Sequence, residues 1–222
     1  MGKEREIKLR IEDLPALRRA LRILGALVER PRVHELNVVF DTPAFDLAKH
    51  EHVLRIRAET SDMSRGRKSR AGTRVLVTFK RPMPTAGSNG KSEQHKVREE
   101  IELEISDDKA LASIFEGLGM NPWFRYEKFR TTYRLPGSQR WAKGLLIELD
   151  ETPIGIFLEL EGTASAIDRA AQALGFEPRD YVLANYMVLY REYCLKQGEE
   201  PRDMLFANRK QRSPSAKSKN LS

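Results

Sequence analysis

Charged side chains recur at every second position in several stretches of this sequence. Glu4, Glu6 and Lys8 have this spacing near the start of the chain, and Arg55 and Arg57 repeat it further on. Two carboxylates at i and i+2 repel each other, but together they chelate a hard divalent cation through oxygen, as Mg²⁺ prefers. Clusters of arginine and lysine bind phosphate oxygens, arginine through paired hydrogen bonds. The two sets together predict a site for a polyphosphate chain and its metal ions.

Other kinds of reactive centre have little support in the composition. The chain has one cysteine and four histidines, which excludes a thiol zinc site and leaves little for a histidine-rich metal centre. His50 and His52 stand in a polar turn and are interpreted as surface residues. Phosphoryl transfer needs mainly positioning and charge neutralisation, so a site without a catalytic serine, cysteine or histidine can still perform it.

The same alternation defines the elements that carry these residues, because successive side chains of a strand point to opposite faces. Seven segments place charged residues opposite apolar ones, and a mixed segment, residues 33–41, completes eight strands. Any single segment could be the wet face of an open sheet, but seven such faces made almost wholly of Glu, Arg and Lys favour a lumen. The seven charged faces contain Lys8, Arg10, Arg55, Arg57, Lys80, Arg98, Lys128, Arg130, Arg134, Glu4, Glu6, Glu100, Glu102, Glu104, Glu148, Asp150, Glu159 and Glu161.

Helical patterns lie between the strands. Asp13 opens an amphipathic helix that ends at Gly25, and Asp107 opens another that ends at Gly119. Two more helices are predicted over residues 165–174 and 181–197. The order is βαβββ, βαβββ, αα, and an offset of 94 residues aligns the starts of the two halves. We therefore predict an α+β fold: a closed eight-stranded antiparallel β-barrel, or tunnel, made from two βαβββ halves with helices packed outside.

Length and charge suggest one domain with basic appendages. The 222 residues carry a formal charge of +7. We expect a domain over residues 1–197 and a disordered basic tail over residues 198–222, whose removal leaves the domain intact. Residues 60–73 and 82–96 are expected to be loops. The charged N-terminus lacks the apolar core of a signal peptide, and no uncharged apolar run approaches about 18 residues, so we expect a soluble, cytoplasmic protein.

Several motifs resemble those of a known family. Glu4-Arg5-Glu6-Ile7-Lys8 matches the ExExK motif of the CYTH superfamily, the triphosphate tunnel metalloenzymes, which includes class IV adenylate cyclases, thiamine triphosphatases and inorganic tripolyphosphatases. The resemblance covers about residues 2–196 and implies the same eight-stranded tunnel. Further matches follow in the expected order at Phe40-Asp41-Thr42-Pro43, Leu54-Arg55-Ile56-Arg57, Thr78-Phe79-Lys80, residues 98–102, Glu127-Lys128-Phe129-Arg130 and Glu148-Leu149-Asp150-Glu151.

The resemblance also implies roles for individual residues. The ligands of the Mg²⁺ or Mn²⁺ that binds the triphosphate would be Glu4, Glu6, Glu159 and Glu161. Glu100, Glu102 and Asp150 would be the acidic residues of a second metal ion and its activated water. Together with Lys8 they make up the catalytic set. The phosphate ligands would be Lys8, Arg55, Arg57, Lys80, Lys128 and Arg130. The chain departs from the family in its last helix, where many members have a basic residue before Ser-Tyr and this chain has Leu183-Ala184-Asn185-Tyr186.

These observations support one leading function and two alternatives. The leading hypothesis is a divalent-metal-dependent enzyme that hydrolyses the terminal phosphate of a triphosphate. A class IV adenylate cyclase, which converts ATP to cyclic AMP and pyrophosphate, needs nearly the same lining. A non-catalytic polyphosphate- or RNA-binding barrel would need the basic set without the acidic one. We expect ATP, thiamine triphosphate or tripolyphosphate as the partner, rather than a membrane or nucleic acid, and a monomer or homodimer.

Overall fold

A computed structural model describes residues 2–61, 73–83 and 94–207 of the chain. Within these residues, five α-helices accompany eight strands. The predicted loops lie largely outside the described ranges. The strands are β1 (Gly2–Ile11), β2 (Leu27–Asp41), β3 (Val53–Ser61), β4 (Arg74–Pro82), β5 (Lys96–Ile105), β6 (Asn121–Arg134), β7 (Leu146–Thr152) and β8 (Gly155–Glu161). The helices are α1 (Leu14–Leu24), α2 (Asp46–Lys49), α3 (Asp108–Gly117), α4 (Ala164–Ala173) and α5 (Tyr186–Gln197).

The strands form a closed antiparallel barrel in the order β1-β5-β4-β3-β2-β6-β7-β8. Closure gives every strand a neighbour on both sides, which removes the edges of an open sheet. Exchanging the first four strands for the last four reproduces the same order, as a duplicated unit requires. The predicted fold, an eight-stranded antiparallel tunnel with helices outside, is confirmed.

The outward faces of the strands hold the helices. Ile7 and Leu9 of β1 and Leu158 and Leu160 of β8 are fully buried beneath α1 and α4. Burying each such side chain contributes roughly 1.5–3 kcal/mol. A second cluster packs α3 against β2, β3 and β4. Because the apolar residues of each strand are used outside, the charged residues between them must face the lumen.

The helix boundaries follow their capping residues. The side chain of Asp13 caps α1, and Gly25 ends it with a left-handed φ of 81°, as predicted. The predicted start of the last helix at residue 181 is wrong, because α5 begins at Tyr186. Asn185 caps α5, its side chain accepting a hydrogen bond of 2.9 Å from the backbone N–H of Val188. The stretch just before this cap is extended.

One end of the inward face is apolar. Phe124 of β6 and Phe157 of β8 lie on the same strand faces as charged lumen residues, and both belong to a buried cluster with Tyr186 and Leu189 of α5. The strand β6 begins at Asn121, so Phe124 lies within it. The helix α5 therefore packs across the apolar end of the inward face.

A segment beyond α5, residues 199–207 (the C-terminal segment), docks on β6. Met204 is 1% exposed. Its backbone N–H donates to the carbonyl of Arg125 and its carbonyl accepts from the N–H of Glu127, both at 2.9 Å. Phe206 packs on Phe129, with ring centroids 5.2 Å apart. The expectation of disorder from residue 198 is wrong for this segment, because two apolar side chains anchor it without any periodic pattern. Residues 208–222 lie outside the described residues.

Candidate active site

The inward faces of the barrel enclose a cavity of about 310 Å³. Its lining contains nine cations and nine glutamates. Every residue for which the resemblance implies a role is part of this lining except Asp150. The cations are Lys8, Arg30, Arg55, Arg57, Lys80, Lys96, Arg98, Lys128 and Arg130, and the anions are Glu4, Glu6, Glu35, Glu59, Glu100, Glu102, Glu148, Glu159 and Glu161.

Lys80 stands between two of the glutamates. Its Nζ lies 2.6 Å from Oε1 of Glu4 and 3.2 Å from Oε1 of Glu100. The pairing of β4 with β5 places Lys80 directly opposite Glu100. Burial raises the pKa of Glu4 despite the opposing charge of Lys80. A candidate phosphate ligand thus holds two candidate metal ligands.

Lys8 of β1, like Lys80, pairs with two glutamates, one on its own strand and one on β8. Its Nζ lies 3.0 Å from Glu6 and 3.4 Å from Glu159, which is its register partner on β8. Burial acts to raise the pKa of Glu6, but the charges of Lys8, Lys80 and Lys96 together outweigh it and lower that pKa to about 2. The backbone of Lys8 exchanges two hydrogen bonds, of 3.0 and 2.8 Å, with Val182. The extended stretch before α5 therefore fixes the strand at this lysine.

Arg55 and Arg57 project from β3 and are oriented by neighbouring strands. Arg55 donates to the hydroxyl of Tyr126 at 2.9 Å and to that of Thr78 at 3.3 Å. Arg57 donates to Glu102 at 2.8 Å. The Nε atom of Arg55 is buried without a hydrogen-bond partner, whereas Nε of Arg57 lies 3.2 Å from Oε1 of Glu59. Arg55 thus keeps a donor that is free to take a ligand oxygen.

Asp150 lies beneath the lining and is fully buried. Its two carboxylate oxygens accept from Arg130 at 2.7 and 2.6 Å, and one of them also accepts from Lys128 at 2.9 Å and from the hydroxyl of Tyr186 at 2.7 Å. Charge-assisted bonds of this kind fix the geometry of their donors. In this structure Asp150 orients Lys128 and Arg130 from behind.

Two ionisable groups near one end of the cavity have shifted pKa values. Burial, followed by repulsion from Glu4 and Glu148, raises the pKa of Glu161 to about 8. Burial, followed by repulsion from Lys8, lowers the pKa of Lys96 to about 7. Both groups therefore carry an electrostatic cost in their charged form, which an added ion of opposite charge would relieve.

The CYTH domain family model matches residues 2–175 of this chain. The chain belongs to the CYTH domain family. A Methanocaldococcus jannaschii protein named a putative adenylate cyclase is 27% identical over 172 residues, which are 77% of this chain and 83% of that protein. The helix α5 and the C-terminal segment follow the matched region.

Solved structures share the fold of this CYTH domain. A Pyrococcus horikoshii protein superposes with a TM-score of 0.63 at 23% identity, covering 86% of this chain and 98% of that one. A putative adenylate cyclase from Vibrio parahaemolyticus gives 0.62 at 18% identity, covering 84% and 97%. A Hippeastrum protein described as a putative adenylyl cyclase with a dominant triphosphatase activity gives 0.50 at 20% identity, covering 89% and 97%. Within the described residues, no helix is long and apolar enough to cross a membrane.

Several residues that line the cavity were missed by the sequence interpretation. Glu35 belongs to the mixed strand, where alternation is weak, and its carboxylate lies 3.5 Å from Lys128. Glu59 continues the alternation of Arg55 and Arg57 by one step and could have been found by extending it. Arg30 and Lys96 also line the cavity, whereas Arg10, Arg134 and Glu104 of the charged faces do not.

The donor set of the CYTH domain suits a hard divalent cation, because Mg²⁺ and Mn²⁺ prefer carboxylate oxygens. Oε2 of Glu4 is buried and makes no hydrogen bond. In the described part of the chain, no three acidic, histidine or cysteine side chains converge into a group that could hold a metal ion. Glu4 and Glu6 are instead turned to Lys80 and Lys8. The residues fit the ion by their chemistry, and in this structure each of the two carboxylates faces a lysine.

Proposed function

We propose that this protein is an enzyme that hydrolyses the terminal phosphate of a triphosphate, with Mg²⁺ or Mn²⁺ as its metal ion. The observation that supports this most directly is the composition of one cavity of about 310 Å³, in which nine cations stand among nine glutamates. A polyphosphate supplies the anionic partner of the first set, and a divalent cation supplies the cationic partner of the second. Phosphoryl transfer asks a protein mainly for this positioning and neutralisation.

The arginines are proposed to bind the phosphate oxygens. Arg55 is held by Tyr126 and Thr78, and Arg57 by Glu102, so both guanidinium groups are oriented before a ligand arrives. The buried Nε atom of Arg55 is without a hydrogen-bond partner. An unsatisfied buried donor costs about 1–3 kcal/mol, which a phosphate oxygen would recover.

The lysines are proposed to exchange partners when the ligands bind. Glu4 and Glu6 would hold the metal ion, which would leave Lys80 and Lys8 to donate to phosphate oxygens. A bound cation would supply charge neutralisation and make a water molecule more acidic. Glu100 and Glu102, whose side chains are 22% and 32% exposed at the cavity, are proposed to hold the attacking water and accept its proton. Asp150 is proposed to position Lys128 and Arg130 rather than to contact the substrate.

Adenylate cyclase activity is the second candidate. The relative from Methanocaldococcus jannaschii at 27% identity carries a name of this kind. In cyclisation the ribose 3′-hydroxyl attacks the α-phosphorus and pyrophosphate leaves, whereas in hydrolysis water attacks the terminal phosphorus. Hydrolysis is placed first because the charged lining alone meets its requirements. A purely binding barrel would have no use for the nine glutamates.

Product analysis separates these reactions. The full chain is incubated with tripolyphosphate, ATP or thiamine triphosphate, with Mg²⁺ or Mn²⁺, and orthophosphate, pyrophosphate and cyclic AMP are quantified. Orthophosphate with the corresponding diphosphate is expected from hydrolysis, and cyclic AMP with pyrophosphate from cyclisation. Glu104→Gln, a change on the same strand as Glu100 but outside the cavity lining, serves as the control. No turnover of any of the three substrates would exclude both enzymatic proposals.

A further inference from the structure

Arg55 is oriented by neutral groups, unlike the other cations proposed to bind phosphate. Its Nη1 donates to the hydroxyl of Tyr126 at 2.9 Å and its Nη2 to that of Thr78 at 3.3 Å. A hydroxyl oxygen orients a guanidinium without neutralising its charge, so the charge of Arg55 remains available to an anion. The other five proposed phosphate ligands are each paired with a carboxylate: Lys8, Lys80, Arg57, Lys128 and Arg130.

The hydroxyl of Tyr126 holds this guanidinium at the cavity wall. Both side chains line the charged cavity. The bond to Tyr126 is the shorter of the two that Arg55 makes to hydroxyls. With both Nη atoms engaged, the buried Nε is the donor left without a partner among the described residues. The position of the Tyr126 hydroxyl therefore decides where Arg55 can meet a phosphate oxygen.

The ring of Tyr126 is fixed by apolar packing. It is buried and stacks on Phe124, with ring centroids 5.7 Å apart and an interplanar angle of 24°. Met204 of the C-terminal segment and Leu189 of α5 belong to the same buried cluster. Since the ring cannot turn without displacing these neighbours, the position of its hydroxyl follows from that of the backbone at residue 126.

The C-terminal segment fixes that backbone. Among the described strands, β7 pairs with β6 only over residues 129–133, which leaves one side of the first half of β6 to this segment. Met204 pairs with Tyr126 in a parallel bridge. The N–H of Met204 donates to the carbonyl of Arg125, and its carbonyl accepts from the N–H of Glu127. Both chain neighbours of Tyr126 are therefore bound to the segment.

We infer that Tyr126 is a positioning residue for triphosphate binding, and that the C-terminal segment acts on the phosphates through Tyr126 and Arg55. The contacts run from Met204 to the backbone around Tyr126, from the Tyr126 hydroxyl to Arg55, and from Arg55 to a phosphate oxygen. The inference rests on the proposed function, since it places a triphosphate in the charged cavity. It assigns a role in ligand affinity to a segment that follows the region matched by the family.

A double-mutant cycle in the full chain tests the path through Arg55. Calorimetry with Mg²⁺ gives the Kd of an imido analogue of tripolyphosphate, in which N–H groups replace the bridging oxygens and prevent turnover. Tyr126→Phe keeps the ring and removes the hydroxyl, and it is expected to weaken binding about tenfold. In an Arg55→Gln background the same change should have almost no effect, because the arginine that it positions is absent. A merely structural role would weaken binding in both backgrounds.

Tyr181→Phe is the matched control for the loss of a hydroxyl. The hydroxyl of Tyr181 donates to Asp168 at 3.0 Å, and neither residue belongs to the lining of the charged cavity. This variant should bind the analogue as tightly as the intact protein. Melting curves set the temperature of the binding measurements so that every variant is folded.

A second pair of variants tests the segment itself. Met204→Ala removes a side chain that is 1% exposed and packs in the cluster of Tyr126. It is expected to weaken binding severalfold in the otherwise intact chain and to have almost no effect in the Arg55→Gln background. Leu205→Ala changes the next residue, which is 42% exposed, and should leave the affinity unchanged in both.

The outcomes separate this inference from the proposed function. Unchanged affinity in Tyr126→Phe, or equal losses in the two backgrounds, would overturn the inference, and unchanged affinity in Met204→Ala would overturn the part assigned to the segment. Turnover of tripolyphosphate alongside such results would leave the triphosphatase proposal standing. Coupling between Tyr126 and Arg55 in a protein without turnover would do the reverse, since the affinities are measured by binding alone.

Discussion

The hydroxyl of Tyr186 donates a hydrogen bond of 2.7 Å to Asp150, which joins the first residue of α5 to a carboxylate buried beneath the cavity. Burial, followed by the charge of Asp150, raises the pKa of Tyr186 well above its usual value, so the hydroxyl remains a donor. The same carboxylate orients Lys128 and Arg130. The last helix therefore supports the site, although it follows the region matched by the family.

Tyr186→Phe is expected to destabilise the protein. It removes a hydrogen bond to a buried charge, which is worth roughly 1.5–3 kcal/mol, and keeps the ring in its cluster. The free energy of unfolding in urea measures this loss. Tyr193→Phe, on the same helix but 41% exposed, is the control and should change little. Equal effects of the two substitutions would contradict a supporting role for the Tyr186 hydroxyl.

The C-terminal segment is expected to contribute to stability. Ending the chain at Gly198 removes Met204 and Phe206 from β6, and Met204→Ala alone should cost about 2–5 kcal/mol as a large-to-small change in a buried site. Thermal and urea unfolding measure both variants. A chain that ends at residue 207 keeps every described contact of the segment and is the control. If the chain ending at Gly198 has the same melting temperature as the intact protein, the docked C-terminal segment contributes nothing to stability.

Much of the barrel was predictable because its signal is local and repeated. In β1 and β3, apolar residues alternate with Glu, Lys or Arg. This alternation predicts that each segment is a strand, and it also predicts which face of the strand lines the cavity. The caps Asp13 and Asp107 gave the starts of α1 and α3, because a side-chain oxygen must satisfy the free N–H groups there. These features depend on neighbours in sequence.

Other features depend on contacts between distant residues. No local sequence pattern indicates that Met204 pairs with β6. The same is true of the pairing of Val182 with Lys8, which keeps residue 182 out of the helix so that α5 begins only at Tyr186. The position of Asp150 beneath the lining follows from the closeness of Arg130, Lys128 and Tyr186 in the closed barrel, whereas alternation alone groups it with the lumen residues.

Glu4→Gln and Glu6→Gln are each expected to abolish turnover of tripolyphosphate at saturating Mg²⁺. A neutral amide fills the same volume but is a poor ligand for a hard cation. Circular dichroism and melting temperature establish that the fold is kept, and phosphate release measures turnover. Glu104→Gln, an exposed glutamate of β5, is the matched control. Full activity in both Glu4→Gln and Glu6→Gln would remove the metal site from this end of the cavity.

The stability of the metal-free protein is expected to depend on pH through Glu161. Its pKa is raised from 4.5 in the reference state to about 8 in the folded state, so the folded protein holds this proton more tightly than the unfolded chain. The resulting stabilisation is complete below about pH 4.5 and is lost as the pH rises through about 8. Glu161→Gln lacks this titration, so the intact protein should lose more stability than the variant across that window.

Melting curves with a chelator present, recorded for both proteins at several pH values, measure this difference. Glu104→Gln should follow the intact protein, since that exposed residue lies outside the cavity lining. Parallel curves for the intact protein and Glu161→Gln would show that Glu161 ionises freely, contrary to its burial and to its repulsion by Glu4 and Glu148.

Tripolyphosphate and Mg²⁺ are expected to stabilise the protein together more than the sum of their separate effects. The cavity lining has as many cations as glutamates, and these already pair with each other, so either ligand alone leaves one set without partners. A ligand that binds only the folded state adds about 2.7 kcal/mol at a hundredfold excess over Kd, a clear rise in melting temperature. Orthophosphate, which spans only one group of cations, should do much less.

Variants of single arginines show whether this stabilisation depends on an ordered site. Arg57→Gln should shrink the rise in melting temperature, because it removes a cavity guanidinium that Glu59 and Glu102 hold in place. Arg81→Gln removes an equal charge from a residue that pairs with Glu99 outside the lining and should leave the rise unchanged. If orthophosphate matches tripolyphosphate, or if Arg81→Gln matters as much as Arg57→Gln, the ligand is held by general positive charge and the cavity is not a triphosphate site.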